Sequence, residues 1–423
     1  MSDIDPAAFA LDVVAMAQRA QFAEIERFFA PRLRAVVSAD TLAAGWAGEI
    51  AKSGRVISVG AATTEPGPEP GLVLATVPLT CERSDLTVAM SLDDDGMMHG
   101  LLITPSSTES WRAPSYAKPR RFTERDVVLD EGSLAVPGTL TLPRRGDPHP
   151  GVVLLGGGGE FDRDESSGPN KPLKDLAWGL ASRGVAVIRF DKVTFTHRGV
   201  IDEPGFTMSD EYVPHAVAAA RLLQREPCVD ASRVFVVGHS MGGRVAPRVA
   251  AAEASIAGLV VLAGDTQPMQ RAIVRVAHHL ATTSPEVVPE SLLAELKRQA
   301  ANVDAPDLSA ATPASELPFG WPASYWLDLR DDDPVGTAAA LRKPMLILQG
   351  GRDYQVTEED DLAGWREGLG GRPEVTIRVF PADDHLFFRG SEPSTPADYM
   401  RPQHVDRLVI RDIATWMKRS ARR

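Results

Sequence analysis

The chain has 423 residues, 43% of them hydrophobic and 24% charged, with a formal net charge of −12. That balance excludes intrinsic disorder, leaves room for more than one domain, and argues against nucleic acid or an anionic membrane as a partner, since either would need a basic face. Two cysteines, Cys81 and Cys228, exclude a disulfide framework and a cysteine-built zinc site. No apolar run approaches the roughly 18 residues of a membrane span, and Asp3 and Asp5 stand where a secretory leader would carry basic residues. The expected location is the cytoplasm, with no cofactor and no metal.

Apolar residues at helical spacing, Phe9, Val13, Met16, Phe22, Ile25 and Phe29, predict helix up to a break at Pro31. A second helix is predicted from Thr41 to Ile50 with Asp40 as its N-cap. After Gly54 the pattern shortens to strand-like runs, Val56–Val59, Leu72–Leu79, Leu86–Met90 and Met97–Ile103, separated by turn residues. Helices followed by a meander make a small α+β domain over residues 1–104. This order resembles the cone-shaped nuclear-transport-factor-like domains that precede some bacterial hydrolases, and the resemblance implies homodimer pairing through the sheet.

Residues 105–121, rich in Pro, Ser and basic side chains, read as a linker. From 122 to 423 strands alternate with helices. A hairpin is predicted at Arg125–Leu129 and Leu134–Leu142, and further strands at Gly151–Leu155, Val185–Phe190, Arg233–Val237, Leu259–Leu262, Met345–Leu348 and Val375–Val379. Helices are predicted around Leu173–Ser182, Asp210–Arg225, after Gly243 and over Val405–Lys418. Near-continuous Val/Ile/Leu strands with amphipathic helices between them predict an α/β fold with a mostly parallel sheet covered on both faces.

Within this half, Val236-Val237-Gly238-His239-Ser240-Met241-Gly242-Gly243 contains Gly-x-Ser-x-Gly between a strand and a helix. A serine on so sharp a turn projects into a cleft, and the crowded backbone requires glycine two residues to either side. The segment resembles the nucleophile elbow of bacterial α/β-hydrolases, in particular serine esterases and dipeptidyl-peptidase-like enzymes. Three more segments are similar to one subgroup of them: Asp162–Glu165 through Gly168–Lys171, Tyr325–Leu329, and Leu348–Val356 with its Gly-x-Arg-Asp. The resemblance covers residues 122–420 and implies the α/β-hydrolase fold with Ser240 as nucleophile.

A serine hydroxyl needs a base, and this fold orders the triad Ser, acid, His. His385 follows the last core strand and precedes the closing helix, whereas His404 reads as a surface residue and His215 as an exposed helix residue. Two carboxylates stand at strand ends, Asp265 and Asp353. The resemblance places the acid at Asp353. The amide of Met241 and one from the loop Gly156–Gly159, at Gly157 or Gly158, are the expected oxyanion donors; related enzymes carry His where Gly156 stands. A phosphate-binding loop fits poorly, because no Gly-Lys-Ser/Thr follows and the dinucleotide spacing Gly-x-Gly-x-x-Gly fails at Phe161.

The long stretch from Gly264 to Met345 exceeds an ordinary connection and is expected to form a helical lid over about 265–340. Trp321, Tyr325 and Trp326 are its candidate substrate-binding residues. The sequence thus points to a serine hydrolase that cleaves a carboxylic ester, or a thioester or amide, through an acyl-serine intermediate. An acyltransferase, a cyclase or bond-cleaving biosynthetic enzyme on the same triad, and a peptidase are the alternatives.

Overall fold

Helices α1 (Pro6–Gln18), α2 (Phe22–Glu26), α3 (Pro31–Val36) and α4 (Ala39–Ser53) precede strands β1 (Val56–Val59), β2 (Thr63–Pro66), β3 (Val73–Cys81), β4 (Leu86–Leu92) and β5 (Met98–Pro105) in a computed structural model. The model describes residues 5–67, 71–105, 111–129, 132–146, 148–285 and 287–420, so the expectations for residues 1–4 and for linker residues 106–110 fall outside it. Asp5 caps α1 by accepting from Ala7 N at 3.0 Å. The expected first helix is broken at Ala20, whose φ of 56° lies in the left-handed region. Pro31 opens α3, because a missing N–H is harmless in a first turn. Ser38, not Asp40, caps α4: its Oγ accepts from Thr41 N at 3.2 Å, and Asp40 sits in the first turn, facing the helix's positive end. The strands pair antiparallel in the order β1-β3-β4-β5, with β2 also on β3. Leu86, Val88, Met90 and Leu92 alternate inward on β4 and meet Val13, Ile25 and Phe29 in one core. A small α+β region therefore stands where the sequence placed one.

The second sheet is built from β6 (Phe122–Leu129), β7 (Val136–Pro143), β8 (His149–Leu155), β9 (Ala186–Phe190), β10 (Val229–His239), β11 (Gly258–Leu262), β12 (Met345–Gly350) and β13 (Val375–Phe380). Their order is β13-β12-β11-β10-β8-β9-β7-β6, parallel from β13 through β9 and antiparallel at β7 and β6. Strands β8, β9, β11 and β12 are buried along their whole length, which is why they read as unbroken apolar runs. Helices α5 (Pro172–Ala181), α6 (Val193–Thr196), α7 (Met208–Arg225), α8 (Met241–Ala252), α9 (Met269–Thr283), α10 (Glu290–Asp304), α11 (Ala323–Arg330), α12 (Pro334–Leu341), α13 (Ala363–Leu369) and α14 (Arg407–Ser420) complete the chain. On one face Leu173, Leu176 and Leu180 of α5 and Val409, Ile410 and Ile413 of α14 cover Val152 and Leu154 of β8. Each such fully buried side chain contributes about 1.5–3 kcal/mol of hydrophobic stabilisation. A complete capping box, Thr207 with Asp210, sets the start of α7.

Two compact units emerge: Met1–Thr108 with Ala277–Ala305 and Thr312–Trp321, and Glu109–Val276 with Pro306–Ala311 and Pro322–Arg423. The stretch read as one lid is thus divided, and all of α10 belongs with the N-terminal residues. Its stripe of Leu293, Leu296, Ala300 and Val303 is buried, as an amphipathic helix requires. Residues 111–121 of the expected linker belong to the second unit: Trp111 Nε1 donates to Asp175 at 2.9 Å, and its ring packs edge-on against Trp178 at 5.0 Å. Composition suggested a linker there, but two aromatic anchors, Trp111 and Tyr116, outweigh the Pro and Ser around them.

Candidate active site

Strand β10 ends at His239 and α8 begins at Met241, so Ser240 alone turns the chain, with φ 52° and ψ −121°. A non-glycine residue rarely holds this geometry, and the surroundings impose it: Ser240 N donates to Leu262 O at 2.9 Å, and its carbonyl accepts from Gly243 and Arg244. A Cβ at Gly238 would lie 2.0 Å from Gly242 O, and one at Gly242 would lie 2.5 Å from Gly156 O. Both glycines are therefore obligatory. Met241 stands in the first turn of α8, where backbone amides have no intrahelical acceptor and the helix dipole favours negative charge.

Asp353 follows β12 and His385 follows β13, the strand beside it, so the sheet brings together residues 32 apart in sequence. His385 Nδ1 lies 2.7 Å from Asp353 Oδ2. The other oxygen, Oδ1, accepts from Gln355 N at 2.8 Å and Val356 N at 3.0 Å, and Gln349 Nε2 reaches Oδ2 at 3.2 Å. A carboxylate so held accepts a hydrogen bond from Nδ1–H, which keeps the proton on Nδ1 and leaves Nε2 as the basic nitrogen. Asp265 is engaged elsewhere. Its Oδ2 accepts from Arg244 Nη1 at 2.7 Å, inside a buried cluster in which Arg244 and Arg248 also share Asp332. Asp384 Oδ1 accepts from Leu386 N and Phe388 N, so it shapes the loop that carries His385.

In the glycine loop, Gly157 N donates to Glu165 Oε1 at 2.6 Å, which removes that amide as an oxyanion donor and leaves Gly158 of the two candidates. Glu165 is 3% exposed and also accepts from His239 Nδ1 at 2.9 Å, while His239 Nε2 donates to the carbonyl of His385 at 2.9 Å. With an acceptor on each ring nitrogen His239 is held as the imidazolium. Burial works to lower its pKa, but the Glu165 charge outweighs it and the value is raised. Sequence reasoning had no role for either residue, although Glu165 lay in a quoted motif. The remaining motif residues are also structural ties. Arg163 bonds Asp191, Asp164 bonds Arg189, Asn170 bonds the carbonyls of Tyr399 and Arg401, and Asp328 bonds Arg248 and Ser209.

The three aromatic candidates separate. Tyr325 and Trp326 are 1% and 0% exposed and act as packing. Tyr325 donates to Glu211 and lies 3.6 Å from Met241 Sδ. Trp321 falls in the other unit, against Phe319 at 5.2 Å. Two histidine expectations are corrected as well. His215 is buried with Nε2 2.7 Å from Leu134 O, and His404 is half-buried with Nδ1 3.0 Å from Asp175 Oδ2. Among the described residues no group of His, Cys, Asp or Glu is placed to hold a metal ion, and no helix is long and apolar enough to cross a membrane.

Residues 152–399 match the model of the alpha/beta hydrolase family. Esterase EstD of Thermotoga maritima is 36% identical over 343 residues, which are 80% of this chain and 78% of that protein. The chain belongs to the α/β-hydrolase family. Among solved structures, this hydrolase is similar to the Pyrococcus furiosus esterase PF2001, at 18% identity and TM-score 0.45 over 74% of this chain and 97% of the other. It is also similar to Est1E from Butyrivibrio proteoclasticus, at 16% identity and TM-score 0.45 over 70% and 99%. The family match begins inside β8 and takes in the elbow, Asp353 and His385.

Proposed function

We propose that this hydrolase cleaves a carboxylic ester of a small molecule through an acyl-serine intermediate, with Ser240 as nucleophile, His385 as base and Asp353 as the acid that orients it. The observation that carries the reading is the 2.7 Å contact of His385 Nδ1 with Asp353, in a chain whose Ser240 occupies a strained elbow. In this mechanism Ser240 Oγ attacks the carbonyl carbon as His385 Nε2 takes its proton. The amides of Met241 and Gly158 receive the oxyanion. Collapse expels the alcohol with the proton from His385, and water then repeats the sequence to release the acid. The similarity to the Thermotoga esterase EstD supports ester over amide. We read the N-terminal α+β region as nuclear-transport-factor-like, with a role in pairing, and the protein as cytoplasmic. The test is Ser240→Ala on a panel of p-nitrophenyl esters of graded chain length. Turnover should fall by a factor on the order of 10⁴–10⁶ with the melting curve intact, and wild-type rates in the variant would overturn the assignment.

A further inference from the structure

The peptide joining Gly157 to Gly158 is gripped by buried side chains that the triad mechanism leaves without a task. Lys192, 4% exposed, follows β9. Its Nζ donates to Gly157 O at 2.9 Å, to Tyr212 Oη at 2.8 Å and to Glu211 Oε1 at 3.0 Å. Tyr212 Oη, having accepted from Lys192, donates to Gly157 O at 2.7 Å. Three ammonium hydrogens meet three acceptors, and the two lone pairs of Gly157 O meet two donors, so the hydrogen-bond count closes with Lys192 as the ammonium ion. Glu211 balances its charge and is itself held by Thr194 Oγ1 at 2.6 Å and by Tyr325. Burial draws the Lys192 pKa down, and the Glu211 charge beside it offsets only part of that lowering.

In a trans peptide the C=O and N–H point in opposite directions. Pinning Gly157 O to Lys192 and Tyr212 therefore aims Gly158 N–H away from them. The same segment lies on the nucleophile: a Cβ at Gly157 would be 3.2 Å from Ser240 Cβ, and one at Gly158 would be 3.1 Å from Met241 Cε. On the other side Glu165 pins Gly157 N, so the loop's glycines do not leave it free to turn. A cation on the carbonyl oxygen also polarises the amide and strengthens its N–H as a donor.

We infer that Lys192, assisted by Tyr212, is a positioning residue of the oxyanion hole, fixing and polarising the Gly157–Gly158 peptide so that Gly158 N–H meets the charge that develops on the substrate oxygen. This rests on the triad reading above. An interaction realised as the oxyanion forms lowers the barrier without tightening substrate binding, so it belongs to kcat and not to KM.

The experiment uses the full chain and compares wild type with Lys192→Met/Glu211→Gln, which removes both buried charges together, and with Tyr212→Phe. It measures kcat and KM on p-nitrophenyl butyrate and the Ki of an alkyl trifluoromethyl ketone, whose adduct with serine carries an oxyanion. For the double variant kcat/KM should fall about 10- to 100-fold, short of the ~10²–10³ seen when a donor itself is lost. KM should hold, and the ketone Ki should weaken by a parallel factor. Tyr212→Phe should fall part of the way. A packing role would lower the melting temperature and leave the ratio of ketone Ki to KM unchanged, and that result in folded variants overturns the inference. Should the double variant not fold, Tyr212→Phe decides alone on the same two readouts. Ser240→Ala run alongside separates the levels: activity there defeats the triad reading, whereas an inactive Ser240→Ala beside unaffected Lys192 and Tyr212 variants defeats this inference only.

Discussion

Replacing Asp383 by Asn should stabilise the protein, and more so at high pH. Asp383 precedes Asp384 and the proposed base His385 and is 1% exposed, with its Oδ2 buried and without a hydrogen-bond partner. Burial, then the neighbouring charge of Asp406, pushes its pKa from 3.8 to about 7, against the opposing pull of Arg389 and Arg352 and with a further push from Asp384. In the unfolded chain the group ionises near pH 4, whereas in the folded protein it holds its proton to about pH 7. Unfolding in that window releases a proton, so stability falls as pH rises from about 4 to about 7 and is level above. At 1.36 kcal/mol per unit the loss reaches about 4 kcal/mol. Only about 1.5 kcal/mol of it is already incurred at pH 5, so the gain from Asp383→Asn should grow by about 2.5–3 kcal/mol between pH 5 and pH 8. Urea unfolding of both proteins at the two pH values measures this double difference, from which any pH-independent packing effect of the amide cancels. A gain equal at both pH values would refute the buried, proton-holding carboxyl.

The two strand-end carboxylates should respond in opposite ways. Asp353→Asn keeps the shape of the site but favours the wrong imidazole tautomer, so kcat should drop about 10⁴-fold with little change in melting temperature. Asp265→Asn leaves the triad alone but takes one of two carboxylates from the buried Arg244; urea unfolding should show about 1–3 kcal/mol less stability with kcat near wild type, and a reversal of the two outcomes would move the acid to Asp265. A chain beginning at Trp111 keeps the Trp111 and Tyr116 anchors and residues 277–305 and 312–321, without the N-terminal residues of the first unit. It should lose solubility, while its soluble fraction still labels with a fluorophosphonate. A folded truncation that no longer labels would show that the first unit helps build the catalytic site.

Local chemistry made much of the catalytic half legible from the sequence. Strands buried on both faces must be apolar throughout, which is why β8, β9, β11 and β12 announced themselves, and Gly238 is dictated by the backbone of Gly242, four residues away. The same locality explains the errors. Ser38 and Asp40 are both good caps, and only the folded backbone chose Ser38. The aromatic residues Tyr325 and Trp326 read equally well as substrate wall or as core, and burial made them core. Trp111 could not reveal its anchor, because Asp175 and Trp178 lie more than sixty residues away along the chain. What only the tertiary structure decided are the long-range polar pairings. Asp265 had a strand-end position as good as that of Asp353, but Arg244 bonds one and His385 the other. Glu165, Lys192 and Tyr212 carry no local signature, since a buried charge is tolerable only beside partners that other strands and helices deliver. The sequence by itself determined the strand–serine–helix order of the elbow motif and the α/β alternation, which follow from patterns along the chain. Which carboxylate serves the histidine, and what grips the oxyanion peptide, depend on neighbours in space.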